Sequence, residues 1–184
     1  MSGRILAVFL AMLLMTIAGA AEPTRVVQAE EILKNISLGQ PVKYDNVIVE
    51  GDLDLSGLNL TRVPVKLTED EANWGLLEYE IVASSPIIIS NSVINGIVNL
   101  NRTFFQNSVI FRGTVFKEPA FLMCSRFNQT ADFQVARFEQ SVVFLGSQFN
   151  QTADFYKVQF KQIASFYEVQ FNQTSWTAPL IMDK

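Results

Sequence analysis

The chain has no histidine and only one cysteine, Cys124, in 184 residues. The first absence excludes an imidazole general base. The second excludes a disulfide framework, and the two together exclude the common zinc sites. Charged residues make up only 17% of the chain, and the net charge of −4 supplies no basic surface for nucleic acid. After Ala21 there is no long apolar run, so the mature chain is not polytopic. What is abundant is hydrophobic: 49% of the residues, too many for a disordered polymer. The length fits one ordinary domain. With no partner inside the chain, Cys124 reads as a small buried hydrophobe rather than a reactive thiol.

The N-terminus reads as an address. Arg4 is the only charge before Glu22, and an apolar run from Ile5 to Ile17 follows it. Small residues, Ala18-Gly19-Ala20-Ala21, then precede Glu22-Pro23. A basic start, an apolar centre and an A-x-A end make residues 1–20 a secretory signal peptide cleaved after Ala20, with a secreted or cell-surface product. A retained membrane anchor is the alternative, because the run counted to Ala21 reaches 17 residues, the lower limit for a span. Residues 21–45 read as a capping helix and lead-in. Thr24 is placed to cap a helix over 25–36, with Val26, Ala29, Leu33 and Ile36 on one face and the pair Glu30 and Lys34 on the other. Gly39 ends it and Pro41 prevents its resumption.

An internal repeat dominates the rest. Fourteen of the 15 phenylalanines lie between Phe104 and Phe171. From Phe127 they run Phe133, Phe138, Phe144, Phe149, Phe155, Phe160, Phe166 and Phe171, in alternating steps of 6 and 5. The unit is thus eleven residues with two rings, repeating again at 22. Four columns result: Ile89, Phe111, Phe133, Phe155; Ile94, Phe116, Phe138, Phe160; Leu100, Phe121, Phe144, Phe166; and Phe105, Phe127, Phe149, Phe171. Only the third slips, by one residue at Phe121. Small or β-branched residues stand two before the ring: Ala131, Ala136, Val142, Ser147, Ala153, Val158, Ala164 and Val169.

An α-helix cannot hold one face on such steps, because its face recurs at about 3.6 residues. A coil with four short sides can. Successive coils would then stack at the inter-strand spacing of about 4.8 Å, each ring on the ring of the coil before. The expected core stack is Phe111, Phe116, Phe127, Phe133, Phe138, Phe144, Phe149, Phe155, Phe160, Phe166 and Phe171. An exposed aromatic series of this length would be an aggregation hazard, so the rings are placed inside.

These residues resemble the pentapeptide-repeat family, whose unit has a small residue at i−2, Asp or Asn at i−1, and Leu or Phe at the centre. Ala131-Asp132-Phe133 and Ala153-Asp154-Phe155 match it directly, and Ala164-Ser165-Phe166 more loosely. Leu53 and Leu58, in VIVEGDLDLSGLNL, look like an early coil. The alternating extra residue most resembles a Phe-rich variant of exported, archaeal-type proteins. The resemblance covers about residues 46–65 and 86–177 and implies an all-β fold, a right-handed quadrilateral parallel β-helix. The expected organisation is a solenoid over 46–177, an acidic insertion at 66–86 and a tail at 178–184.

The insertion (KLTEDEANWGLLEYEIVASSP) holds Glu69, Asp70, Glu71, Glu78 and Glu80 against Lys66, with Trp74 and Tyr79. It lacks the Asp-x-Asp-x-Asp-Gly spacing of a calcium loop and reads as a solvated loop or hairpin. On the outside, period 22 aligns Asn128, Asn150 and Asn172, then Gln129, Gln151 and Gln173, then Thr130, Thr152 and Thr174. Lys117, Glu139 and Lys161 form an alternating charge column. Asp132 and Asp154 stand one rung apart, with Ile110 expected above and Trp176 below. They occupy the i−1 position the repeat favours and do not read as a catalytic pair. Asn-x-Ser/Thr occurs at Asn35, Asn59, Asn101, Asn128, Asn150 and Asn172, candidate N-glycosylation sites if the chain is exported.

No catalytic, cofactor or metal residues emerge. The function expected is an exported, non-catalytic structural or interaction module. Its rigid rod would present regular polar faces to a protein or cell-surface component. A sensor-like outer domain working with a separate membrane protein is the alternative. A polysaccharide-acting enzyme would need clustered acids with Arg or Lys in a groove, and the sequence shows no such cluster. DNA mimicry would need a continuous acidic face inside the cell. At the C-terminal end Trp176, Leu180, Ile181 and Met182 would cover the last coil or dock a second copy, giving a homodimer.

Overall fold

The computed structural model describes residues 25–173, 176–177 and 181–182, with only the backbone of the last four. The expected signal segment and the Thr24 cap lie outside the described residues. So do most of the tail and the side-chain expectations for Trp176, Leu180, Ile181 and Met182, while the backbone of Ile181–Met182 pairs in parallel with Gln159–Phe160.

The chain is an all-β parallel solenoid with four faces and a short helix near its N-terminus. Face 1 is a six-stranded sheet that includes Ile87–Ser90 and Ala131–Asp132. Face 2 has seven strands, among them Arg137–Phe138, and face 3 has five, among them Val142–Val143. Face 4 has six, among them Arg126–Phe127. The chain visits the faces in turn, and each strand pairs in parallel with its equivalent one coil away. Phe116 pairs with Phe138, and Phe138 with Phe160. Phe105 pairs with Phe127, and Phe127 with Phe149.

The core follows from that register. Phe111, Phe116, Phe127, Phe133, Phe138, Phe144, Phe149, Phe155 and Phe160 are all at most 3% exposed. Within a column the rings are near-parallel: Phe116 and Phe138 are 4.4 Å apart at 8°, Phe127 and Phe149 4.7 Å at 6°, Phe133 and Phe155 5.2 Å at 7°. Between columns they meet edge to face, as Phe133 and Phe144 do at 5.4 Å and 85°. Edge-to-face and stacked pairs of this kind add about 0.5–1.5 kcal/mol each beyond the area they bury. The last two rings differ. Phe166 is only partly buried and Phe171 is 37% exposed.

The third column does not slip. Phe121 pairs with Asn99 and Val143 and is only half-buried, whereas Leu122 is 2% exposed. The column is Leu100, Leu122, Phe144, Phe166, with steps of 22 throughout. A slip does occur in the last rung of face 1. Ala153 pairs with Trp176 and Asp154 with Thr177, so the residue below Asp154 is Thr177 rather than Trp176. Ile110 does stand above Asp132.

One feature of the eleven-residue unit lies in the backbone. Asn91, Arg102, Gly113, Cys124, Val135, Gly146, Lys157 and Glu168, each eleven residues from the next, all have φ between 48° and 66°. From Gly113 onward each is the third residue of a β-turn at one of two opposite corners. The turns are closed by bonds such as Ala136 N–H to Phe133 O at 2.9 Å and Ser147 N–H to Phe144 O at 2.9 Å. These corners span five residues between rings. The alternate corners, without a left-handed residue, span six.

Left-handed backbone costs a non-glycine residue about 1–2 kcal/mol, and more with a branched side chain. Val135 (φ 58°) is the branched case and is 52% exposed, so it packs little. Val135→Gly is expected to stabilise the chain by about 1 kcal/mol after the flexibility glycine adds to the unfolded chain. The check is the urea midpoint at unchanged slope, and a lowered midpoint would contradict the strain assignment.

The N-terminal end is closed by three devices. Arg25–Gln28 is a strand, not helix. It pairs with Val47–Glu50 and takes the edge of face 2. Its β-branched Val26 and Val27 suit that role, and Val26 is exposed. Helix α1 (Ala29–Ser37) then lies across the first coil, burying Ala29, Ile32 and Ile36, with Leu33 only partly covered. Gly39 (φ 68°) ends it. The third device is Thr61–Pro64, which pairs antiparallel with Tyr79–Ala83 and covers the edge of face 4. An open edge strand would be a template for aggregation. The strand Tyr79–Ala83 is itself a rung of face 4, paired with Thr103–Phe105. The solenoid therefore resumes inside the stretch read as insertion, and only the chain before Tyr79 departs from it.

Candidate functional site

The acids of the insertion are not simply solvated. Thr68-Glu-Asp-Glu71 spells a capping box, and it starts the short helix α2 (Glu69–Asn73). Thr68 N–H donates to Glu71 Oε2 at 2.8 Å, and Glu71 N–H to Thr68 Oγ1 at 3.2 Å. The box aims the Glu71 carboxylate at a solenoid corner. There Arg102, with its side chain 8% exposed, brings Nη2 to 3.1 Å from Glu71 Oε1. The Cys124 thiol, one coil further on, borders the same cavities as that carboxylate. Burial pushes the Glu71 carboxyl up. The Thr68 backbone, the Arg102 charge and the Cys124 thiol overcome that and hold it below the usual glutamate value. Burial, reinforced by the Glu71 charge, pushes the Cys124 thiol up to about 11. At neutral pH it is a thiol and not a nucleophile.

A second pair lies beside the first. Arg126 on face 4 donates through Nε to Glu80 Oε1 at 2.6 Å and through Nη2 to Glu80 Oε2. Its guanidinium also sits 4.4 Å from the Phe104 ring centroid. Acids and arginines thus do come together, which the sequence reading had not expected. Arg102 and Arg126 come from successive coils, and Glu71 and Glu80 from a segment with no period.

Among the cavities between the insertion and the solenoid, two, of about 360 and 280 Å³, share lining residues. Glu71, Cys124, Gly146 and Gln148 border both, so they form one cleft. Trp74, Glu168 and Gln170 line the larger, Arg102 and Arg126 the smaller. Gly146 keeps the floor open, since a Cβ there would lie 2.9 Å from Cys124 Sγ. Among the described residues no three His, Cys, Asp or Glu side chains converge as metal ligands.

The aspartate pair of face 1 has a local task. Asp132 Oδ1 accepts from Gln134 N–H at 2.9 Å, and Asp154 Oδ1 from Tyr156 N–H at 2.9 Å. Asp54 does the same for Ser56 N–H at 2.8 Å. Each i−1 carboxylate therefore fastens the turn two residues on. Asp132 also receives Arg112 Nη2 at 2.6 Å, and Gln134 Nε2 donates to Asp154 Oδ2 at 2.7 Å. A small residue at i−2, a turn-fastening Asp at i−1 and a ring at i recur at Ala131-Asp132-Phe133 and Ala153-Asp154-Phe155 on face 1. Residues 133–178 match the family model for pentapeptide repeats, in 9 copies. The pentapeptide-repeat match covers a quarter of the chain, the part where the Phe columns are most regular. No curated protein and no solved structure matches the chain.

Buried hydroxyls complete the left-handed corners, and the sequence analysis did not single them out. Thr114 Oγ1 donates to Ile89 O at 2.6 Å and Ser125 Oγ to Leu100 O at 2.6 Å, each reaching back one coil. Ser147 does the same to Leu122 O. The signal was available, as Thr114, Ser125 and Ser147 fall on multiples of eleven.

The outer ladders are partly realised. Asn172 Nδ2 donates to Asn150 Oδ1 at 2.8 Å. In the charge column Lys117 Nζ lies 4.0 Å from Glu139 Oε1, which Arg137 Nε approaches to 2.7 Å. Among the sequons Asn59 and Asn172 are exposed, while Asn35, Asn101, Asn128 and Asn150 are half-buried. Asn35 donates to the Tyr44 hydroxyl at 3.4 Å, and Asn101 Oδ1 accepts from Met123 N–H at 2.8 Å.

Proposed function

We propose that this chain is an exported, non-catalytic structural or interaction module that presents the faces of a rigid rod to a protein or cell-surface partner. The observation that carries the reading is the register of the outward residues along face 4. On face 4 Arg126, Gln148 and Gln170 stand directly beside one another on three successive strands. A lattice of side chains at one strand spacing, backed by a dry aromatic core, is suited to binding an extended surface without rearranging. The carboxylates that approach a catalytic arrangement are committed elsewhere: Asp132 and Asp154 to turns, Glu71 and Glu80 to arginines.

Export rests on the basic, apolar and small-residue segments of 1–20. On this reading the exposed sequons, Asn59 and Asn172 first, carry glycan, and a second copy docks on the C-terminal coil. The test is fractionation of producing cells, with mass spectrometry of the N-terminus and of the sequon peptides and sedimentation of the purified chain. Recovery at the surface or in the medium, with Ala21 as first residue, is the expected result. A cytoplasmic chain that keeps residues 1–20 would overturn the reading.

A further inference from the structure

We infer that the outer surface of face 3 pairs two copies of this chain side by side. The inference goes beyond the surface role proposed above and uses a different site from the C-terminal coil. It starts from a contrast in charge. Outward strand positions carry Asp132 and Asp154 on face 1, Arg137 on face 2 and Arg126 on face 4. On face 3 the same positions hold Phe121, Val143 and Ser165 on three successive coils. The residues flanking them are uncharged too: Pro119, Ser141 and Ile163 on one side, Met123, Leu145 and Tyr167 on the other. Ile163 is 74% and Tyr167 64% exposed, while Phe121, Met123, Val143 and Leu145 are half-buried. A contiguous apolar patch depleted of charge has the composition of an interface centre. The insertion leaves it open, because Trp74 shares its cavity with Gln148 and Gln170 of face 4.

Area, charge and shape select the occupant. With Ile97 at its upper edge, 39% exposed, the patch comes to about 600 Å², so two copies would bury about 1,200 Å², the lower bound for a stable specific interface. A chain of net charge −4 repels its own copy least across an uncharged face. The exposed acids Glu118 and Glu168 flank the patch and disfavour an anionic lipid surface. The two flanking columns also complement each other. Pro119 and Ser141 are small where Met123 and Leu145 are long. A two-fold axis along the rod, through the column of Phe121 and Val143, sets each small residue of one copy against a long one of the other. The same axis sets Ile163 against Tyr167, and Val143 against its own counterpart. Two sheets so packed lie face to face at about 10 Å.

The experiment is sedimentation equilibrium of the purified full chain from about 1 to 100 µM, with Val143→Arg and Ile163→Lys on face 3 and Gln159→Arg on face 2 as variants. The parent chain is expected to dimerise with a Kd of about 1–10 µM. Val143→Arg brings two guanidinium groups together at the axis. It and Ile163→Lys should each weaken the dimer at least about tenfold, and Gln159→Arg by less than about twofold. The coil accepts these changes, because Arg126 and Arg137 already stand at equivalent outward positions and Ile163 is exposed. Circular dichroism of the variants should therefore match the parent. A chain still monomeric at about 100 µM would overturn the inference, whether or not it floats with neutral phosphatidylcholine vesicles. So would a dimer that persists in Val143→Arg, which would assign the second copy to the C-terminal coil, or one that Gln159→Arg weakens as much as Val143→Arg.

Discussion

Truncating Phe138 to alanine is expected to cost about 3–5 kcal/mol, enough to unfold much of the solenoid. Phe138 is 1% exposed and lies between Phe116, at 4.4 Å, and Phe160, at 5.5 Å. It also meets the edge of Phe144 at 6.4 Å. Removing it opens a cavity that the neighbouring coils cannot close, because their spacing is fixed by the backbone ladders on all four faces. Phe171→Ala is the matched control. That ring stacks on Phe149 at 5.2 Å but is 37% exposed, so its loss should cost only about 1–2 kcal/mol. Urea unfolding followed by far-UV circular dichroism separates the two. Because each coil contacts mainly its neighbours, Phe138→Ala should also broaden or split the transition. Equal midpoints for the two variants would contradict the stacked-column account.

Glu71→Ala should have the next largest effect, roughly 3 kcal/mol, at the low end for breaking a buried ion pair because the Glu71 side chain keeps 18% of its exposure. One carboxylate serves Thr68 N–H and Arg102 together, so its removal leaves a buried guanidinium without its counter-charge. The same group sets an acid response. Its folded pKa lies below the usual glutamate value. The stability it supplies is therefore complete above the unfolded value, and is lost as pH falls through the lowered folded one. Acidification through that lowered value should release the insertion while the Phe columns persist. Limited proteolysis within 66–78 reports that release. Glu71→Gln should make the insertion equally labile at neutral pH and remove the acid step. An insertion as resistant in Glu71→Gln as in the parent chain would show that this carboxylate does not fasten it.

The solenoid was legible because its rule is local and strict. A position that faces a dry interior every 22 residues tolerates only Phe, Leu, Ile or Val, and the pattern survives in the letters. Misreadings came where apolar residues stood side by side. Phe121 looked like a column member because it is a Phe, yet Leu122 is the residue 22 from both Leu100 and Phe144. In the lead-in, Val26 and Ala29 matched a helical face, while pairing with Val47–Glu50 made the first four residues a strand. The cleft was not legible at all. Glu71 meets Arg102, and Glu80 meets Arg126, across separations that match no period. Only the capping box at Thr68 hinted that the acidic stretch was folded.

The left-handed corner every eleven residues makes all coils interchangeable in backbone. FNQTADF occurs at 127–133 and again at 149–155, as a tandem copy would leave it. Adding or deleting one 22-residue block would lengthen or shorten the rod by about 4.8 Å without re-aiming any other residue. The molecule is in that sense a ruler, its length set in unit steps of one coil.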